Sequence, residues 1–199
     1  MVVLLLLAIT VSTLLGNTVD GGNHPKPQHS LCEHIILSAS YQCSQHMIQT
    51  KNGSLLGLQR VSSSSSSLRL GNDGERGPPL LFLHGLFMDE AGDAWFENTR
   101  QKSLGFILAD HGFDVWVGNV RGTRWSHVPI SLLEKNKELA LYDLSEMIKY
   151  INSVTNSKLF VLEHSQETIL SFAAFKHSEI IGKVEGATLL SPIPSLDTV

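Results

Sequence analysis

The strongest constraint on the fold is an alternation of apolar runs and amphipathic segments that begins after Pro79. The predicted strands cover residues 80–83, 113–117, 158–162 and 184–190, and the first of them is a continuous apolar run typical of a strand buried on both faces of a parallel sheet. The amphipathic segments, each with apolar side chains at helical spacing, cover residues 103–111, 138–152 and 168–176. This pattern predicts an α/β protein with a mostly parallel sheet, flanking helices and chemistry beyond the carboxyl ends of the strands.

Two of these helices have a well-defined apolar face. In the first helix Leu104, Ile107 and Leu108 lie on one face, and Gly112 ends the helix. In the second helix the apolar stripe runs through Leu141, Leu144, Ile148 and Ile151.

A different pattern precedes the alternating region. Residues 41–50 and 54–61 have strand-like content and are separated by Lys51-Asn52-Gly53, in which Asn-Gly is a strong signal for a tight hairpin turn. We therefore predict an N-terminal β-hairpin. The six serines at 62–67 and the glycine-rich stretch at 71–79 are interpreted as a solvated loop.

The first 16 residues form an almost uninterrupted apolar run, and a polar lead-in follows at 17–30. The run is shorter than the roughly 20 residues of a membrane-spanning helix. We interpret it as a secretory signal peptide, with a retained membrane anchor as the alternative. On the secretory route Asn52 becomes a glycosylation acceptor, and Cys32 and Cys43 could form a disulfide; otherwise the cysteines are small buried apolar residues.

Composition excludes several classes of function. Fifteen Lys and Arg against nineteen Asp and Glu give a net charge of −4 without a basic run, which argues against nucleic acids and anionic membrane surfaces as partners. The two cysteines lack the spacing of a zinc site, so we expect neither a metal nor a cofactor. With 199 residues, 42% of them hydrophobic, the chain has room for one ordinary domain.

The main candidate for chemistry is Ser165. It lies in Glu163-His164-Ser165-Gln166-Glu167, which follows one predicted strand and leads directly into a helix. This is the position of a nucleophile elbow, G-x-S-x-G, in which the glycines allow close approach of helix and strand. Both glycines are glutamates here. Taken alone, a serine at such a turn is more often a helix cap than a nucleophile.

Six other segments of the sequence help to interpret this serine. They are YQCSQH at 41–46, TKNG at 50–53, LQRV at 58–61, LHGLF at 83–87, LGFILAD at 104–110 and GFDVWVGNVRGT at 112–123. Together they resemble the acid lipases of the gastric, lysosomal and plant vacuolar type, a branch of the α/β-hydrolases. The resemblance implies that Ser165 is the nucleophile and that the backbone N–H groups of Leu86 and Gln166 form the oxyanion hole.

The same resemblance divides the chain. Residues 31–70 correspond to the lipase-associated N-terminal region, and residues 71–199 to an incomplete, truncated α/β-hydrolase core without lid and C-terminal strands. The resemblance gives Trp116 and Arg121 an architectural role. Between Lys137 and Glu138 the chain lacks an aromatic-rich segment that the family carries.

Two further departures predict impaired catalysis. The family's triad continues after the serine with an acid and then a histidine, whereas the one histidine and the one aspartate that follow Ser165 are His177 and Asp197. We expect His177 to lie about 18 Å along the helix that starts at the elbow, too far to act as the base. Asp197 does not match the family's acid, so neither triad partner is assigned. Glu163 and Glu167 bring carboxylates to about 6 Å from the developing oxyanion.

Two functions remain open from the sequence. The first is a serine carboxylic ester hydrolase acting on triacylglycerols or steryl esters in lipid catabolism, impaired by these departures. The second is a non-catalytic lipase-like fragment that binds lipid or a protein partner. Both predict the secretory pathway, with a secreted, vacuolar or lysosomal destination.

Overall fold

The computed structural model describes residues 31–50, 53, 55–63, 76–84, 95–120, 137–165 and 168–192. The strands are β1 (Tyr41–Gln49), β2 (Leu55–Ser63), β3 (Pro79–Leu83), β4 (Asp114–Asn119), β5 (Leu159–His164) and β6 (Val184–Leu190). The helices are α1 (Leu104–Asp110), α2 (Lys137–Thr155), α3 (Thr168–Ala174) and α4 (Ser178–Ile181), and a π-helical segment, Cys32–Ile36, precedes β1. The predicted alternation of strands and helices is confirmed.

All six strands belong to one sheet in the order β1-β2-β4-β3-β5-β6. Strands β4, β3, β5 and β6 are parallel to one another, and β2 pairs with β4 in the antiparallel sense. The predicted hairpin is confirmed, because β1 and β2 pair antiparallel from Tyr41 opposite Ser63 to Gln49 opposite Leu55. Gly53 lies in its turn with φ of 85°, a left-handed conformation that glycine adopts at little cost.

Helices pack on both faces of the sheet. The face under α2, called the α2 face here, buries Leu144, Met147, Ile148 and Ile151 of that helix against side chains that include Leu81, Leu83 and Trp116. This confirms the predicted apolar stripe of α2 for its described side chains. The opposite face, the α1 face, buries Phe106 and Ala109 of α1 with Phe82, Val115 and Val117 of the sheet.

The predicted helix is present as α1, and Leu104 and Leu108 of its predicted face pack against the core of the α1 face. Gly105, Phe106 and Ala109 are buried, whereas Leu104, Ile107 and Leu108 are only half-buried. The ring of Phe106 contacts the rings of Phe96 and Tyr41, with centroids 4.9 and 4.4 Å away. These aromatic contacts place Phe106 at the centre of the buried part of α1, with Leu104 and Leu108 at its margin.

Two cross-links attach the hairpin to its surroundings. A disulfide joins Cys32 and Cys43, whose Cα atoms are 5.4 Å apart. Tyr41 donates a hydrogen bond from its hydroxyl to Asp110 Oδ2 at 2.8 Å, and Arg100 binds the same carboxylate with two contacts of 3.0 Å. Burial and the bond to Asp110 raise the pKa of Tyr41 to about 12, so this hydroxyl stays a donor through the neutral range.

Candidate active site

Ser165 occupies the turn between β5, which ends at His164, and α3, which begins at Thr168. Its φ is 58°, in the left-handed region that non-glycine residues rarely adopt. Thr168 donates a hydrogen bond from Oγ1 to the Ser165 carbonyl oxygen at 2.6 Å, which fastens the turn to the first residue of the helix. A strained serine at a strand-to-helix turn is the geometry of a nucleophile elbow.

Glu163 stands at the position of the first elbow glycine and is fully buried. It belongs to β5 and pairs with Leu189, and its backbone is not among the described non-glycine residues with positive φ. The chain conformation therefore does not require glycine at this position, and the cost of the glutamate lies in the volume and charge that it brings under the elbow. Glu167, at the second glycine position, lies outside the described residues.

The predicted oxyanion donors, Leu86 and Gln166, also lie outside the described residues. Their immediate neighbours are placed: His84 follows β3 and is 3% exposed, and Ser165 follows β5. Because β3 and β5 are adjacent parallel strands, with Phe82 opposite Leu162, these two segments leave the same edge of the sheet side by side. The assignment of the oxyanion hole stays a prediction.

The predicted position of His177 is wrong. We expected it on the helix that starts at the elbow, but α3 ends at Ala174 and His177 precedes α4 after a turn. Because the helix ends three residues before His177, the helical rise does not measure the distance of His177 from Ser165. His177 is exposed. Asp197, Asn52, Arg121 and the leader at 1–16 lie outside the described residues.

No sequence pattern indicated a polar cluster at the first residue of β4, the end of the sheet opposite to Ser165. Asp114 is 1% exposed and accepts two hydrogen bonds of 2.7 Å from Arg60 and one of 3.0 Å from Trp116 Nε1. The Arg60 guanidinium also lies 4.8 Å from the centre of the Trp116 ring. This group, called the Asp114 cluster here, joins β2 to β4 and agrees with the architectural role implied for Trp116.

His46 connects the hairpin to α2 beside this cluster. Its Nδ1 lies 2.9 Å from the Tyr150 hydroxyl oxygen, and its Nε2 lies 3.0 Å from Ser44 Oγ. Burial lowers the pKa of His46, the Arg60 guanidinium lowers it further, and Asp114 partly opposes both effects. The neutral imidazole is thus the form that the fold prefers.

This preference predicts a loss of stability in acid. Because the unfolded chain binds a proton at His46 more readily than the folded chain does, unfolding becomes easier as the pH falls below the ordinary value of 6.5. We expect His46→Gln, which does not titrate, to lose less stability between pH 7.5 and pH 5 than the parent chain. Urea denaturation at the two pH values measures this difference, and equal losses would show that His46 is not responsible.

Within the described ranges, no three His, Cys, Asp or Glu side chains come together in a group that could hold a metal ion. None of the helices in this part of the chain is both long and apolar enough to span a membrane.

Comparison with known proteins places the chain in a family. Residues 32–99 match the family model of the partial α/β-hydrolase lipase region, and residues 78–197 match that of the α/β-hydrolase fold. Triacylglycerol lipase 1 of Arabidopsis thaliana is 49% identical over 205 residues, which cover 98% of this chain and 50% of that protein. Human lysosomal acid lipase/cholesteryl ester hydrolase is 34% identical, with 81% and 42% covered.

The chain therefore spans about half the length of the curated relatives it matches. Among solved structures, an epoxide hydrolase from Vigna radiata superposes with a TM-score of 0.54 at 19% identity, over 79% of this chain and 41% of that one. That likeness shows the fold alone. The predicted resemblance is confirmed: the chain belongs to the α/β-hydrolase family, in the group that contains the triacylglycerol lipases and lysosomal acid lipases.

Proposed function

We propose that this chain provides the nucleophile half of a serine carboxylic ester hydrolase for neutral lipid esters. The observation that carries the proposal is the left-handed φ of Ser165 at the turn from β5 into α3, which is the place of a nucleophile elbow. Ser40 and Ser191 have a similar φ, but neither joins a described strand to a described helix. The names of the relatives, triacylglycerol lipase and cholesteryl ester hydrolase, support triacylglycerols or steryl esters as the substrate class.

In this reaction Ser165 Oγ attacks the ester carbonyl carbon, and its proton passes to a histidine base. The carbonyl oxygen becomes an oxyanion, and the backbone N–H groups of Leu86 and Gln166 donate hydrogen bonds to it. The alcohol leaves with the proton, and water then hydrolyses the acyl-serine by the same route. We assign neither His177 nor Asp197 to the base or its acid partner.

Residues 1–199 by themselves are expected to show no ester hydrolysis that depends on Ser165. A serine without a positioned base is not activated, since its hydroxyl keeps its proton at neutral pH. The test compares the parent chain with Ser165→Ala on a short-chain p-nitrophenyl ester, and we expect equal rates. Hydrolysis that Ser165→Ala abolishes would show that a base is already present in these residues.

A fused protein tests the chemistry itself. It consists of residues 1–199 followed by the half of Arabidopsis triacylglycerol lipase 1 that the alignment does not cover, and it is called the fused lipase here. Hydrolysis by the fused lipase that Ser165→Ala removes supports the proposed nucleophile. Hydrolysis that survives Ser165→Ala would contradict it.

A second candidate function is binding without turnover. The observation that favours it is the burial of Glu163 beneath the elbow, where a carboxylate opposes the formation of an oxyanion. This alternative predicts that the 199-residue chain binds an ether analogue of a triacylglycerol, which cannot be hydrolysed, and that Ser165→Ala binds it with the same affinity. Absence of binding would remove this candidate.

We also propose that the protein follows the secretory route towards a vacuole or lysosome, or out of the cell. The apolar leader, the disulfide between Cys32 and Cys43 and the lysosomal relatives support this proposal. We expect a mature N-terminus after the leader and a glycan on Asn52, which N-terminal sequencing and a glycosidase mobility shift detect. Asn52→Gln is the control that should lose the shift. An N-terminus at Met1 in carbonate-resistant membranes would favour the retained anchor instead.

A further inference from the structure

The left-handed conformation of Ser165 needs a restraint, because a non-glycine residue relaxes out of it unless its surroundings oppose the change. Ser40 and Asn156 have the same kind of φ, and each follows a helical segment. Their backbone N–H groups donate hydrogen bonds to carbonyl oxygens three or four residues earlier, at 3.0 and 2.8 Å. Ser165 follows the strand β5, so no preceding helix can hold it in this way.

A restraint on Ser165 comes from the helix that follows it. The Thr168 hydroxyl donates to the Ser165 carbonyl oxygen at 2.6 Å, and Thr168 itself is 0% exposed, so water does not reach this hydroxyl to replace the bond. The strand β5 fixes the chain before Ser165, and this bond fixes its carbonyl oxygen. The backbone rotations of Ser165 that lie between these two points are therefore both restrained.

The helix that carries Thr168 is anchored on the sheet. Leu170 and Ala174 of α3 are 7% and 1% exposed and belong to the same apolar cluster as Leu144 and Met147 of α2. A shift of α3 would open this cluster, which costs free energy because closely packed side chains lose their contacts. The Thr168 hydroxyl is thus a fixed point to which the turn is attached.

Hydroxyl bonds to a carbonyl oxygen three or four residues earlier are common in helices. Ser38, Ser153 and Thr155 form such bonds here, and the first two are exposed whereas Thr155 is half-buried. Their acceptors lie inside helical segments and have no left-handed φ. The bond from Thr168 differs in both respects, because it is buried and its acceptor is a strained residue outside the helix.

We propose that Thr168 is a positioning residue, whose hydroxyl holds Ser165 in the conformation that presents Oγ to the ester carbonyl carbon. This inference rests on the proposed function, in which Ser165 is the nucleophile. Thr168 acts through Ser165, since its hydroxyl donates to the main chain. A nucleophile displaced by about 1 Å loses on the order of a hundredfold in rate, although the substrate still binds. The effect of losing the bond therefore falls on kcat and leaves KM unchanged.

A double-mutant cycle in the 199-residue chain tests the restraint without any hydrolysis. Thr168→Val keeps the side-chain shape and removes the hydroxyl, and Ser165→Gly removes the cost of the left-handed φ. If Thr168 holds the turn, the turn relaxes in Thr168→Val, and glycine then has no strain to relieve. The effect of glycine on the unfolded chain is the same in both backgrounds and cancels.

Urea denaturation gives the unfolding equilibrium constant of each chain in the cycle. We expect the stabilising effect of Ser165→Gly on this constant to be about fivefold larger in the parent than in Thr168→Val. Equal effects in the two backgrounds would overturn the proposal, because the rest of the fold would then hold the turn without the hydroxyl.

The second measurement uses the fused lipase and a p-nitrophenyl ester. Thr168→Val is expected to lower kcat about tenfold or more with KM unchanged, and Thr168→Ser, which keeps the hydroxyl, to restore most of kcat. Thr155→Val is the matched control. It removes a hydroxyl that donates to the Ile151 carbonyl oxygen at 2.8 Å, at the end of α2 that leads into β5, and it should leave both constants unchanged.

The outcomes separate this proposal from the proposed function. Hydrolysis that depends on Ser165 but keeps its kcat in Thr168→Val would refute the positioning role. So would a loss that Thr155→Val shares or that Thr168→Ser does not restore, because the change would then reflect a general loss of stability. Hydrolysis that survives Ser165→Ala would contradict the nucleophile itself, and the cycle in the 199-residue chain would still decide whether Thr168 holds the turn.

Discussion

Replacing both Glu163 and Glu167 by glycine in the fused lipase is expected to raise the hydrolysis that depends on Ser165 by at least a hundredfold. A carboxylate about 6 Å from the developing oxyanion opposes it by roughly 3 kcal/mol at an effective dielectric constant near 20, which corresponds to about a hundredfold in rate. Glycine also removes the side-chain volume at the elbow, where Glu163 is fully buried. The value of kcat/KM on a p-nitrophenyl ester measures the effect.

Two controls separate the causes. Glu163→Gln with Glu167→Gln keeps the volume and removes both charges, so it should recover the electrostatic part of the gain. The glycine variant combined with Ser165→Ala should stay at the background rate. If neither the glycine pair nor the glutamine pair changes the rate of the fused lipase, the two glutamates do not limit the chemistry at Ser165.

Asp114→Ala is expected to destabilise the folded chain by about 4 kcal/mol. The buried carboxylate accepts hydrogen bonds from Arg60 and from Trp116 Nε1, so its removal leaves a guanidinium with 17% exposure and a buried indole N–H without their acceptor. The loss of an acceptor at a buried charge is among the costliest single changes in a protein. The midpoint and slope of urea denaturation give the free energy of unfolding.

Asp110→Ala is the matched control. Asp110 also forms a two-contact pair with an arginine, Arg100, but the side chains are 30% and 46% exposed. Water replaces much of that interaction, so we expect a much smaller loss of stability than in Asp114→Ala, including the loss of the bond from Tyr41. Equal losses in the two variants would mean that burial does not determine the strength of these pairs.

The elements that local patterns determine could be predicted from the sequence. The strand at 184–190 has the predicted bounds, and the hairpin follows from Asn52-Gly53 between two strand-like runs. The end of α3 could not be predicted, because the chain from Ala174 to His177 contains neither glycine nor proline and continues the helical spacing. There the turn is held by the backbone bond from the His177 N–H to the Ala174 carbonyl oxygen at 3.0 Å.

The other features that could not be predicted depend on contacts between residues that are distant in the sequence. Arg60 and Asp114 are 54 positions apart, and a single sequence does not show which arginine meets which carboxylate. The burial of Phe106 is another example, because its ring meets those of Phe96 and Tyr41 from outside the helix. At the candidate site, the strand-to-helix turn at Ser165 could be predicted from the apolar run before it and the helical segment after it. The interpretation of Ser165 as a nucleophile came from the resemblance carried by other segments, because the local motif lacks both glycines.

The place of β4 between β2 and β3 determines when the sheet can close during synthesis. Gly57 of β2 pairs with Asn119 of β4, 62 residues later. The hairpin therefore leaves the ribosome long before β4, the second strand that pairs with β2. In that interval the inner edge of β2 is open, and Leu56 and Leu58, fully buried in the finished fold, are exposed to water. The nascent hairpin therefore keeps an unpaired apolar edge until β4 has been synthesised.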